Sequence, residues 1–196
     1  MKTMKTINTN TMRSNAIKVL GLLAATAVFT SCDNDDDISA ENEEEVITTV
    51  EYTLTSTTDA TNVVVFTSVD ADGEGPLAPV ETVTGTLMAS TVYDGSIKFL
   101  NELESPAEDI TVEVAEEADE HEVFYIDSIT DLTVAKVDTD ANGNSLGLDT
   151  TFTTGAAGTG TLTIVLRHEP LKPNDGTLLN AGGETDVQVE FDLDVQ

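Results

Sequence analysis

The segment from 138 to 149 has the oxygen-rich spacing of a calcium-binding loop. Acids and an asparagine alternate with other residues at its start, Gly143 follows where the loop must turn sharply, and an acid stands at the twelfth position. The candidate ligands are Asp138, Asp140, Asn142, Asn144 and Asp149. The same residues suit a hairpin turn in which Asn142-Gly143 supplies positive φ, and the sequence leaves both interpretations open.

A second acidic turn, Asp70-Ala71-Asp72-Gly73-Glu74-Gly75, is a shorter version of this pattern. It offers Asp70 and Asp72 as calcium ligands but has no acid at a fixed distance downstream. Ordinary turn chemistry, in which aspartate side chains accept bonds from nearby backbone N–H groups, explains it as well.

The two histidines, His121 and His168, are the candidate ligands for a transition metal. If strand pairing brings them together, two imidazoles and a glutamate would suit zinc or copper. Each also fits a histidine at the surface or at a strand end. No Gly-x-Ser-x-Gly motif or other nucleophile context accompanies them, so we expect no enzyme.

Residues 1–31 predict a lipoprotein signal peptide. They contain basic residues and no acid, then an apolar run from Val19 to Phe29 that is too short to span a bilayer. Cys32 follows directly and resembles the lipidated cysteine of a bacterial lipobox, with Phe29 departing from the usual Leu or Val. We therefore expect a membrane anchor at Cys32.

The acids at 33–37 resemble a signal that sends lipoproteins to the cell surface. They predict a protein anchored in the outer membrane and facing the exterior; an acidic tether at the periplasmic face is the alternative. Residues 32–45 contain little apolar surface and predict a disordered tether.

The net charge of the processed chain limits the classes of molecule that it can bind. Four basic residues remain against all 37 acids, a net charge of about −33. Such a charge repels nucleic acid and anionic lipid head groups and suits cations or a basic or neutral ligand. Calcium would relieve the self-repulsion. With Cys32 lipidated there is no thiol for a disulfide or a thiolate metal site.

Residues 46–196 predict a single all-β domain, an antiparallel β-sandwich of Greek-key type. Period-two alternation runs through several segments and is cleanest from 186 to 195, where the even-numbered residues, mostly acids, face solvent. One short helix is predicted after Ser105, with Pro106 at its first position and Ile110, Val114 and Ala118 on one face. Residues 110–114 also alternate like a strand.

Four segments together resemble a family of small acidic lipoproteins of gliding and marine Gram-negative bacteria: 116–121, 151–155, 166–170 and 180–186. Some members carry the label "type 1 periplasmic binding fold", which implies ligand capture for uptake. The chain is too short for that fold and lacks its alternation of strands and helices.

These patterns predict a membrane-anchored, surface-exposed binding or scaffold module without enzymatic activity, stiffened by calcium. The alternative is an accessory lipoprotein that captures a ligand or metal for nutrient uptake. The sequence identifies no protein partner.

Overall fold

The computed structural model describes residues 45–73 and 75–196, which form ten strands and two short helices. The strands are β1 (Thr49–Ser56), β2 (Val63–Val69), β3 (Val80–Thr84), β4 (Val92–Asn101), β5 (Glu108–Asp109), β6 (His121–Asp127), β7 (Thr133–Lys136), β8 (Asp149–Thr153), β9 (Gly158–His168) and β10 (Glu184–Val195). The helices are α1 (Ile110–Glu116) and α2 (Leu178–Ala181).

The strands form two antiparallel sheets. The larger sheet has the order β3-β2-β1-β4-β8-β7, with β5 paired to β4, and the smaller has the order β10-β9-β6. The prediction of an all-β, sandwich-like domain is confirmed, and it excludes the doubly wound architecture of a periplasmic binding fold.

Aromatic side chains from both sheets meet in the core. Tyr52 of β1 lies 5.2 Å from Tyr125 of β6, and Phe66 of β2 lies 5.4 Å from Phe191 of β10, between ring centroids. Alternation along each strand directs these side chains inward. Each buried large apolar side chain contributes about 1.5–3 kcal/mol through removal of its surface from water, so these contacts hold the sheets together.

The predicted helix is present but begins later than expected. Asp109, and not Ser105, is its N-cap, and the Asp109 carboxylate accepts a bond from Thr111 N. The delay follows from sheet pairing, because Glu108 and Asp109 pair with the end of β4 before the chain turns into α1. Ile110 and Val114 are buried, as their spacing predicts.

The predicted signal peptide and Cys32 lie outside the described residues. Among the described residues, no helix is both long enough and apolar enough to cross a membrane. The chain enters the domain through the lead-in segment, residues 45–48, directly before β1.

Candidate metal centre

The two histidines meet at one end of the smaller sheet. His121 begins β6, His168 ends β9, and the two are direct cross-strand partners. Their ring centroids are 4.5 Å apart, and they are 0 % and 3 % exposed. Both histidine side chains lie on the core-facing side of their strands, as Val123 of β6 and Leu166 of β9 do. A polar pair therefore occupies positions where the alternation would place apolar residues.

A β-bulge in β10 brings Asp186 to the same place. Thr185 pairs with Arg167 and Val187 with Leu166, so Asp186 is the extra residue between two regular pairs. A bulge re-aims the side chain of its extra residue. The Asp186 side chain is only 1 % exposed, and its Oδ2 lies 4.0 Å from His121 Nε2. The predicted solvent-facing position of Asp186 is thus wrong, because the bulge interrupts the alternation.

The lead-in segment supplies the fourth side chain. Glu45 Oε1 lies 3.1 Å from His121 Nε2, and Glu45 Oε2 lies 3.9 Å from His168 Nδ1. The Glu45 side chain is 6 % exposed, although Oε2 accepts no hydrogen bond from the described residues. The interpretation of 32–45 as tether therefore needs correction at its last residue, which packs into the domain.

These side chains form the His-carboxylate cluster, defined as Glu45, His121, His168 and Asp186. One ligand atom from each lies within 4.8 Å of all the others. Ligand atoms bound at about 2.1 Å around a tetrahedral ion are about 3.4 Å apart. The distances from His121 Nε2 to the two carboxylates, 3.1 Å and 4.0 Å, fall on either side of that value.

Backbone structure sets the orientation of His121. Its Nδ1 lies 3.2 Å from the backbone oxygen of Glu117, just after α1. When Nδ1–H donates to that carbonyl, Nε2 faces the carboxylates, either as a lone pair for a metal or as N–H of an imidazolium. A histidine that binds a metal usually donates its other ring N–H in this way.

In the absence of metal, the cluster places the His121 imidazole beside two carboxylates. Contact with His121 lowers the pKa of Glu45 below its usual value of 4.5, although burial acts in the opposite direction. Burial alone would lower the pKa of His121. Contact with Glu45, the backbone carbonyl of Glu117 and the charge of Asp186 outweigh burial and raise that pKa above 6.5. A proton on His121 and a metal ion thus compete for the same atoms.

Further carboxylates surround the cluster. Glu113 and Glu117 of α1 and its C-cap form a group with Glu45, and Glu120 and Glu169 form another with His168. Burial, followed by the charges of Glu45 and Glu117, raises the pKa of Glu113. This setting attracts cations.

A cleft of about 260 Å³ borders the cluster on the side of its two carboxylates. Glu45 and Asp186 both line it, together with Asp70 and Gly73 of the acidic turn and the first residues of β10 after the bulge. An ion would therefore approach between the lead-in segment and β10, past acidic side chains.

The acidic loop at 138–149 uses its carboxylates differently. Asp138 accepts bonds from Gly147 N and Leu148 N, at 2.8 and 2.9 Å. Asp140 accepts from the backbone N–H groups of Asn142 and Asn144, both at 2.8 Å.

The remaining groups of the loop fit a turn. The Asn144 side chain donates to Asp140 Oδ2 at 2.9 Å, and Lys172 Nζ lies 3.7 Å from that oxygen. Gly143 has φ of 85°, and Asp149 begins β8 with an exposed side chain. The hairpin interpretation thus has direct support, and calcium binding at this loop stays a prediction.

The shorter acidic turn also uses its carboxylates locally. Asp72 N donates to Asp70 Oδ1 and Leu77 N donates to Asp72 Oδ2, both at 3.3 Å. Among the described residues, neither acidic loop supplies a group of three His, Cys, Asp or Glu side chains with ligand atoms within 4.8 Å of one another.

Two of the lysines line a separate cleft of about 390 Å³. Lys136 Nζ pairs with Glu122 Oε1 at 2.5 Å and lies 4.0 Å from the centre of the Phe124 ring. Lys172 Nζ donates to the backbone oxygen of Ala118 at 2.5 Å. Both ammonium groups have partners within the protein. Lys136 links β7 to β6, and Lys172 links the loop after β9 to the segment between α1 and β6.

Comparison with protein-family models, curated proteins and solved structures finds no match to this chain.

Sequence reasoning identified both histidines and missed Glu45 and Asp186. Glu45 lies at the end of an acidic run and Asp186 in a strand of alternating acids, so neither differs from its neighbours in type. The run of two glycines before Glu184 was the available signal. Gly182 and Gly183 have φ of 65° and 70°, and a Cβ at Gly183 would lie 2.2 Å from the His168 backbone oxygen.

Proposed function

We propose that this chain is a membrane-anchored, non-enzymatic lipoprotein whose β-sandwich binds one divalent transition-metal ion, with zinc as the best fit, at the His-carboxylate cluster. The observation that carries the proposal is the convergence of two buried imidazoles and two buried carboxylates from four separate parts of the chain.

Ligand chemistry favours zinc over calcium at the cluster. Imidazole nitrogen suits zinc, copper, iron and nickel, whereas calcium takes oxygen ligands. Two nitrogens and two oxygens fill a tetrahedral shell, and a closed shell is typical of a zinc ion that is held rather than used in catalysis. The competing state is a metal-free ion pair between protonated His121 and the carboxylates.

A zinc titration of the purified full-length protein distinguishes these states. We expect one zinc ion per chain by calorimetry with a competing chelator. His168→Gln and Asp186→Asn should each weaken binding by more than about 100-fold, because even the loss of a residue that only orients a ligand costs 10–100-fold. Asp192→Asn, an exposed acid on the same strand, is the matched control and should bind zinc normally. Equal zinc affinity in all these variants would overturn the proposal.

The anchoring part of the proposal rests on Cys32 and is tested separately. Cells fed labelled palmitate should label the wild-type protein and not Cys32→Ala. Protease added to intact cells should digest the domain if it faces the exterior. Complete protection from the protease would place it at the periplasmic face instead.

Capture of metal for uptake is the second candidate function, and the cleft beside Glu45 favours it because the cleft gives an ion a route to the cluster. Zinc that exchanges within seconds into a chelator supports capture. Zinc that stays bound for hours supports a structural ion.

A further inference from the structure

We infer that metal binding fastens the lead-in segment to the smaller sheet, so that the ion joins the chain's point of attachment to the folded domain. This inference rests on the proposed metal site and concerns what the ion does there. It depends on an unequal division of the four ligands between two parts of the fold.

Three ligands stand on adjacent strands of one sheet. His121, His168 and Asp186 lie on β6, β9 and β10, which are paired side by side. Backbone pairing fixes their spacing whether or not a metal is present. The histidine pair and the bulge therefore form a preorganised three-ligand face.

Glu45 is positioned far less firmly. None of the backbone–backbone hydrogen bonds of the described residues involves Glu45, Val46 or Ile47. The first such bond along the chain is Thr48 N to the Leu100 oxygen, at 2.9 Å. Ile47 packs against the core, whereas Val46 is 45 % exposed.

Between Glu45 and Thr48 the chain is thus held mainly by side chains. The Glu45 carboxylate is the polar link from this segment to the smaller sheet, while Thr48 bonds to β4 of the larger sheet. An ion bound by all four ligands would join the lead-in segment to β6, β9 and β10 together. It would replace two contacts between Glu45 and the imidazoles, at 3.1 and 3.9 Å, with coordination to one ion.

Amide hydrogen exchange tests the inference on the purified full-length protein. Thr48 N–H and Asp70 N–H, which donates to the Thr48 oxygen at 2.8 Å, report opening of the lead-in segment. Ile97 N–H, bonded to the Leu148 oxygen at 3.0 Å, reports unfolding of the whole domain. With saturating zinc we expect the exchange of all three amides to slow in the wild type, by about 10-fold or more at Thr48.

Glu45→Gln separates the two effects, because it leaves the three strand ligands to bind zinc more weakly. At saturating zinc, Ile97 exchange should slow in this variant while Thr48 and Asp70 exchange should stay at the metal-free rate. Glu45→Asp, with a carboxylate one methylene shorter, should give intermediate slowing. Glu81→Gln, on the exposed strand β3, is the control and should behave like the wild type.

The possible outcomes distinguish the proposed metal site from the fastening of the lead-in segment. If wild-type protein binds no zinc, the proposed function is wrong. If zinc binds through the two histidines and Asp186 but slows Thr48 exchange equally in wild type and Glu45→Gln, the metal site stands and the fastening role is overturned.

Discussion

Two regions of the molecule are rich in carboxylates: the acidic loop at 138–149 and the His-carboxylate cluster. The carboxylates of the two regions contact different kinds of group. In the loop, Asp138 and Asp140 accept bonds from backbone N–H groups of the loop itself. In the cluster, Glu45 and Asp186 face imidazole nitrogens contributed by other strands.

The difference in partners distinguishes carboxylates that stabilise a turn from carboxylates that are placed to bind a cation. A carboxylate oxygen that already accepts hydrogen bonds from N–H groups at 2.8–2.9 Å gains less from a metal, because those bonds must be weakened or rearranged. Glu45 Oε2 is buried and accepts no hydrogen bond from the part of the chain that the structure describes. Short-range spacing therefore identified the acidic loop, whereas long-range strand pairing brings together the side chains of the proposed metal site.

The largest expected effect is the loss of protein stability when a carboxylate of the acidic loop is removed. Asp138→Ala leaves the N–H groups of Gly147 and Leu148 without their acceptor and should lower the free energy of unfolding by about 3 kcal/mol. Urea denaturation measures the change, and zinc affinity should stay at the wild-type value. Asp94→Ala, an exposed acid on β4, is the control. A stability equal to that of the control would contradict the turn-shaping role.

The next largest effect is a rise in Tm when zinc binds. At a free zinc concentration about 100 times the dissociation constant, binding should stabilise the protein by about 2.7 kcal/mol. For a domain of this size that is a rise in Tm of about 5–10 °C. Scanning calorimetry of wild type, His121→Gln and Asp138→Ala checks it. The loop variant should keep the rise and the histidine variant should lose it.

A smaller effect is expected from pH in chelator-treated protein. The lowered pKa of Glu45 means that its contribution is complete above about pH 4.5 and is lost as the pH falls through the lowered value. The raised pKa of His121 means that its contribution is complete below about pH 6.5 and is lost as the pH rises through the raised value. Both contribute fully between these limits.

Urea denaturation over a range of pH measures this dependence. Glu45→Gln should flatten it on both sides, because the variant removes one partner of the pair. Asp138→Ala should lower stability without changing the pH profile. A wild-type profile that is flat from pH 4 to 8 would show that the pair contributes nothing measurable in the absence of metal.

Calcium should produce the smallest effect. Because the loop carboxylates already bind backbone donors, 1 mM calcium should raise Tm by less than about 1 °C, equivalent to a few tenths of a kcal/mol. The measurement is a calcium titration of wild type beside Asp138→Ala and Asp140→Asn. A rise of several degrees that both variants abolish would restore the acidic loop as a calcium site.

Local patterns predicted most of the architecture. The alternation from 186 to 195 corresponds to β10, because a period of two follows directly from strand geometry. The strand β8 was not predicted. Its five residues, Asp149–Thr153, carry one large apolar side chain among threonines, and Asp149 was interpreted as a loop ligand.

The proposed metal site was only half predictable for a different reason. Residue type identified His121 and His168, but their meeting depends on the register of β6 against β9. Asp186 depends on a bulge, and Glu45 depends on the path of the chain before β1. These are properties of the assembled sheets, and no short stretch of sequence contains them.

The bulge at Asp186 also bears on how such a site could arise. The Asp186 carboxylate belongs to a residue additional to the regular pairing, so deleting that single residue would restore continuous register from Thr185 to Val187 and leave both neighbouring pairs intact. Insertion or loss of one codon could therefore add or remove one side chain of the proposed metal site without repacking the strand. The composition of the cluster and the composition of the hydrophobic core can thus change separately.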